Sequence, residues 1–100
     1  MSNRIEILAC YDVSTVTPAG QKRLRKMSKA CCAYGQRVQY STFELSVTPA
    51  LLERFIQRAL DVMDVREDSL RLYRLSGARE EVLQVFGRDG WIDFEAPLII

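Results

Sequence analysis

Histidine is absent from this chain of 100 residues, and every catalytic arrangement built on imidazole is absent with it: Ser/His/Asp, Cys/His and His-ligated zinc. Acid–base chemistry is left to carboxylates, lysine or metal-bound water. Cysteine is scarce, at three. Cys10, Cys31 and Cys32 form an odd set whose adjacent pair matches neither a disulfide framework nor the CxxC spacing of a zinc site, so they read as reduced, mostly buried thiols. No window reaches the roughly 18 uncharged apolar residues of a membrane helix, and residues 1–7 carry an acid and a base where a signal peptide has its apolar stretch. A cytoplasmic protein with no membrane partner is the simplest expectation. With 48% hydrophobic and 27% charged residues, disorder, a repeat array and a second domain are all disfavoured, and 1–100 reads as one domain. A chain of this length buries only about 60 to 68% of its unfolded surface, so pairing with a second copy would add stability.

The net charge of +1 hides an asymmetry. Residues 13–43 contain Lys22, Arg23, Arg25, Lys26, Lys29 and Arg37 and no acid, a local charge of +6, while the rest of the chain carries −5. An anion-seeking segment therefore sits on an acidic body, although the same pattern also suits a merely solvated helix face.

Apolar periodicity supplies the elements. Residues 4–13 alternate Ile5, Ile7, Ala9, Tyr11 and Val13 with Glu6, Leu8, Cys10 and Asp12, the period of a largely buried strand. Thr17 and Pro18 then offer a cap and a first helical residue, and a helix is expected to about Tyr34, with Gly35 as its stop. On that helix Leu24, Met27, Cys31 and Tyr34 share one arc, Lys22, Arg25, Lys26 and Lys29 the opposite arc, and Arg23 the border. A second strand is expected over 36–47. Thr48 and Pro49 begin a second helix whose apolar face is Leu51, Leu52, Phe55, Ile56, Ala59, Leu60 and Met63. Residues 69–75 and 82–86 are β-patterned, and 91–100 form a last apolar segment.

Two helices interleaved with strands predict an α+β, two-layer, ferredoxin-like βαββαβ sandwich with both helices on one sheet face. A C-terminal strand over 87–100, left over after that order, would expose an edge unless a second copy pairs with it. Strand exchange in a homodimer is the expectation.

Asp12 is the leading candidate for chemistry. It ends an apolar strand immediately before the loop into the basic helix, where a phosphate would arrive. Mg²⁺ is commonly held by one or two carboxylates plus the substrate's own phosphate oxygens, so one aspartate per chain suffices if a dimer brings two together. Position alone leaves open a plainer role, in which Asp12 starts an Asx turn in the 13–15 loop.

Three ordered motifs point further. Tyr11, Asp12, Val13 and Ser14, followed by the basic helix 22–29, by 35–44 (GQRVQYSTFE) and by 68–75 (DSLRLYRL), resemble the smaller of the two core CRISPR adaptation proteins, the CRISPR-associated endoribonuclease family. The resemblance runs from the first strand to Gly87. It implies a ferredoxin-like symmetric dimer with exchanged C-terminal strands, and a Mg²⁺ or Mn²⁺ site where two Asp12 carboxylates meet. It also implies endonuclease action on RNA or DNA in spacer acquisition for antiviral defence, with a larger CRISPR integrase as partner. Asp12 inherits the catalytic and metal role; Lys22, Arg23, Arg25, Lys26, Lys29 and Arg37 are expected to contact nucleic acid; Tyr11, Ser14 and Phe43 are expected to support the site. The aromatic pair Tyr11 and Phe43 suits either stacking on an unpaired base or the core. A non-catalytic DNA scaffold that bridges the integrase uses the same residues.

Overall fold

A computed structural model describes residues 3–75 and 83–88. The elements are β1 (Ile5–Asp12), α1 (Pro18–Tyr34), β2 (Gly35–Gln39), β3 (Thr42–Val47), α2 (Pro49–Val62), β4 (Ser69–Arg74) and β5 (Leu83–Gly87). They form one antiparallel sheet in the order β2-β3-β1-β4-β5, the ferredoxin-like arrangement with β5 added beside β4.

Strand alternation decides which face is covered. Ile7, Ala9 and Tyr11 on β1, Phe43, Leu45 and Val47 on β3, and Leu70 and Leu72 on β4 are buried with Met27 and Cys31 of α1 and Phe55 and Ala59 of α2. Both helices therefore pack on that one face. Each fully buried Leu, Ile, Val, Phe or Met side chain among them contributes about 1.5–3 kcal/mol. The intervening residues Leu8, Cys10, Asp12, Thr42, Glu44, Arg71 and Tyr73 fall on the opposite face, which neither α1 nor α2 covers.

Both helices start as their sequences dictate. The Thr17 hydroxyl accepts from the Gly20 N–H at 3.1 Å and the Thr48 hydroxyl from the Leu51 N–H at 3.2 Å, each followed by proline in the first turn. Gly20 is buried, and a β-carbon there would collide with the Ser14 carbonyl, so glycine lets α1 pack against the loop that follows β1.

Two expectations need correction, and a third holds for a different reason. The single strand over 36–47 is a hairpin, turning at Tyr40 and Ser41. The two-residue turn pairs Gln39 with Thr42 and by itself shifts the alternation by one, but the register irregularity at Val38 shifts it back, so that Arg37 pairs with Phe43 and Gly35 with Leu45. With β2 a polar edge strand, the hydropathy pattern hides the turn. Gly35 stops α1 after Tyr34 as expected, with an extended φ of −159°. Glycine is needed there because a β-carbon would strike the Glu44 carbonyl and lie 2.9 Å from the Leu45 side chain. The cysteines are free, but only Cys31 is buried; Cys10 is half-buried and Cys32 exposed, since consecutive helical positions point about 100° apart. The expected C-terminal strand and its exchange lie, beyond Gly87 and Arg88, outside the described residues.

Candidate nucleic-acid and metal site

Asp12 ends β1 in register with Ser69 of β4, and its side chain is exposed. Its neighbours along the uncovered face are Cys10 on its own strand and Arg71 on β4. Arg71 lies across from Cys10, and its Nε donates to the Tyr73 hydroxyl at 2.8 Å. Among the described residues, no three cysteine or carboxylate side chains converge as a metal-ligand group. Among the described residues, Asp12 is the exposed carboxylate at the end of β1.

The loop behind Asp12 is held by a residue to which the sequence analysis assigned no role. Asp68, wholly buried, accepts from the Ser14 N–H at 3.0 Å, from the Asp64 N–H at 2.9 Å, and from Arg23 through Nε at 2.8 Å and Nη2 at 3.3 Å. Burial pushes its carboxyl pKa up, but the Arg23 hydrogen bonds, the two N–H groups and the guanidinium charge outweigh burial and hold it below the usual carboxylate range. Asp68 ties β1, α1 and the start of β4 together within two residues of Asp12. Its partners Ser14 and Arg23 lie 54 and 45 residues away in the chain, so no spacing rule reveals them. The legible signal is only an acid immediately before an apolar strand.

The six bases of the positive segment separate into three groups. Lys22, Arg25, Lys26 and Lys29 are exposed on the outward face of α1, as the helical arc predicts. Arg23 turns inward to Asp68, with 19% of its side chain exposed, and sits apart from that face. Arg37, on edge strand β2, donates through Nη2 to the Ser28 hydroxyl at 2.6 Å and through Nη1 to the Tyr40 carbonyl, and its Cζ lies 4.9 Å from the Phe43 ring centre. Tyr11 and Phe43 stack at 6.1 Å and are 5% and 0% exposed, which places both rings in the core and decides the alternative left open for them. Ser14 contributes its backbone N–H.

Between α1 and the β2–β3 turn lies an open cavity of about 500 Å³ lined by Tyr11, Leu24, Arg25, Ser28, Lys29, Arg37, Tyr40 and Ser41. It joins part of the α1 cationic face to Arg37 across the chain.

Fold and site define a class: a small ferredoxin-like α+β domain with an exposed carboxylate on its uncovered sheet face and a cationic helix on its covered one. The family model described as CRISPR associated protein Cas2 matches residues 5–81, and this chain belongs to the Cas2 family. The CRISPR-associated endoribonuclease Cas2 1 of Moorella thermoacetica is 49% identical over 94 residues, 94% of this chain and 98% of that protein. The CRISPR-associated endonuclease Cas2 of Halalkalibacterium halodurans is 43% identical over 93 residues, 93% and 97% of the two chains. The crystal structure of Streptococcus pyogenes Cas2 at pH 6.5 matches with a TM-score of 0.65 and 49% identity, covering 76% of this chain and 90% of that one. The sequence resemblance and the ferredoxin-like fold are both borne out.

Proposed function

We propose that this chain is a metal-dependent CRISPR-associated endonuclease that hydrolyses phosphodiester bonds of RNA or DNA in spacer acquisition, acting as a homodimer with Asp12 as its catalytic carboxylate. The position of Asp12 carries the reading. It is an exposed acid at the end of β1, on the sheet face its own helices leave uncovered. Two copies meeting through that face would bring two such acids together. Oxygen donors of this kind, two carboxylates plus substrate phosphate oxygens, suit Mg²⁺ or Mn²⁺. The ion, when bound, supplies charge for the scissile phosphate and lowers the pKa of a water.

The chain's own residues prepare that chemistry. Asp12 is acceptor-only when ionised and holds its place because Asp68 fixes the following loop through the Ser14 N–H. Arg25, Lys29 and Arg37 offset phosphate charge, with Arg37 already oriented by Ser28 and the Phe43 ring. Lys22 and Lys26 hold the nucleic-acid backbone without reading its sequence. Arg23 supports the site through Asp68.

Labelled single-stranded RNA and double-stranded DNA, incubated with the protein and Mg²⁺, Mn²⁺ or EDTA beside Asp12→Asn, test this reading. Metal-dependent cutting lost in Asp12→Asn, with binding retained, is the expected result. Cutting that persists in Asp12→Asn would remove the assignment. The exposed row of Lys22, Arg25, Lys26 and Lys29 also suits a second reading, a DNA-binding scaffold that bridges the larger CRISPR integrase; binding without cutting under any metal would favour it.

A further inference from the structure

We propose that the cavity between α1 and the β2–β3 turn holds one unpaired nucleotide of a bound strand, its base against the Tyr40 ring and its phosphate on Arg25 and Lys29. The inference rests on the nucleic-acid reading above and names the form of nucleic acid that this part of the surface takes.

Tyr40 is the starting point, because its side chain is 92% exposed while its backbone carbonyl is hydrogen-bonded to two side chains. Its carbonyl accepts from the Tyr11 hydroxyl at 3.3 Å and from Arg37, and the next carbonyl, Ser41, accepts from the Tyr11 N–H at 3.0 Å. A large aromatic ring is thus held out from the backbone on a fixed mount, with no packing role among the described residues. Such a ring offers a stacking surface to any base, since every base has a π-face.

Beside it, the cavity has the size and charge of a nucleotide site. Its volume of about 500 Å³ falls within the about 300–1,000 Å³ typical of small-ligand pockets. Leu24 and Tyr11 form apolar wall, and the three charged lining residues are Arg25, Lys29 and Arg37, with no acid among them. Arg25 and Lys29 stand one turn apart on the same face of α1, spaced to share one phosphate group. The Arg37 guanidinium is already fixed by Ser28, the Tyr40 carbonyl and the Phe43 ring, so its charge is presented without further ordering.

The geometry selects against paired bases. In a duplex both faces of each base are covered by its neighbours, and a base must leave the stack before a side chain can take its face. A single strand, a frayed end or a flipped nucleotide meets that condition.

Two oligonucleotides of equal length and charge separate base from phosphate: a short thymidine single strand and the same strand with every base removed. Their affinities are measured by fluorescence anisotropy at one fixed salt concentration for the wild type, Tyr40→Ala and Tyr40→Phe. The expected wild-type preference for the base-bearing strand is about five- to a hundredfold. Tyr40→Ala should bring the ratio close to one with abasic affinity unchanged, and Tyr40→Phe should keep it. Among the described residues the exposed ring makes no core contact, so neither variant removes a packed side chain. A wild-type ratio near one, or a ratio untouched by Tyr40→Ala, would overturn the inference while leaving the nucleic-acid reading standing. Failure of the wild type to bind either strand or a blunt DNA duplex would overturn both.

Discussion

Asp68 concentrates the largest electrostatic cost in the described part of the molecule and balances it with charge-assisted hydrogen bonds from Arg23 and two backbone N–H donors. Its depressed pKa fixes the sign of a pH effect. The folded carboxylate binds its proton less tightly than the unfolded one, whose pKa is about 3.9, so its stabilisation is complete above about pH 4 and is lost as pH falls through the folded value. Asp68→Asn should lower unfolding stability in urea at pH 7 by about 2–4 kcal/mol. At pH 3 the gap from wild type should shrink, because the unfolded carboxyl, with a pKa of about 3.9, is then mostly protonated and the stabilisation that comes from the lowered folded pKa is being lost. An equal gap at both pH values would show that the charge is not what matters. Cys31 illustrates the opposite case: burial, reinforced by Cys32, pushes its thiol pKa up to about 12, which keeps it un-ionised and leaves it a packing residue.

Helix α1 is one element with two unrelated faces, and most of its design is open to inspection in the sequence. Thr17, Pro18 and the apolar spacing of Met27 and Cys31 set its start and its buried side, and Lys22, Arg25, Lys26 and Lys29 fall outward by helical geometry. Replacing Lys22, Lys26 and Lys29 together by Glu should weaken DNA binding and reduce the slope of log K against log salt. The loss approaches about 3 if each lysine neutralises one phosphate, at about 0.9 per contact. Titrations of a short duplex at several salt concentrations read this directly, and an unchanged slope would place the DNA elsewhere. The β2–β3 hairpin was less legible. Its turn is invisible to period-two patterning, and its consequence, the approach of Arg37 and Tyr40 to Ser28 of α1, depends on the fold closing.

At the scale of the whole molecule, the sheet has one face filled by α1 and α2 and one that, among the described residues, no element covers. Leu8, Cys10, Thr42, Arg71 and Tyr73 on the uncovered face are half-buried within one chain, a mixed surface suited to covering by another such face. If the homodimer pairs through it, sedimentation equilibrium should return twice the chain mass. Leu8→Glu, which places a charge at the centre of β1, should shift the equilibrium to monomer by at least about 1–3 kcal/mol and abolish cleavage with it. A monomeric wild type that still cleaves would exclude an Asp12 site shared between two chains.

Taken alone, the amino-acid sequence determined the α+β class, both helix starts, the buried side of β1, the basic outward arc of α1 and, through three ordered motifs, the family. Those features are local: helix caps act within one turn, and strand or helix periodicity is read within a dozen residues. Tertiary structure alone decided that Arg23 serves Asp68, that Tyr11 and Phe43 belong to the core, and that Tyr40 stands exposed beside Arg25, Lys29 and Arg37. These depend on contacts between segments far apart in the chain, where a buried charge or a ring takes the partner that folding delivers and no spacing along the sequence records the choice.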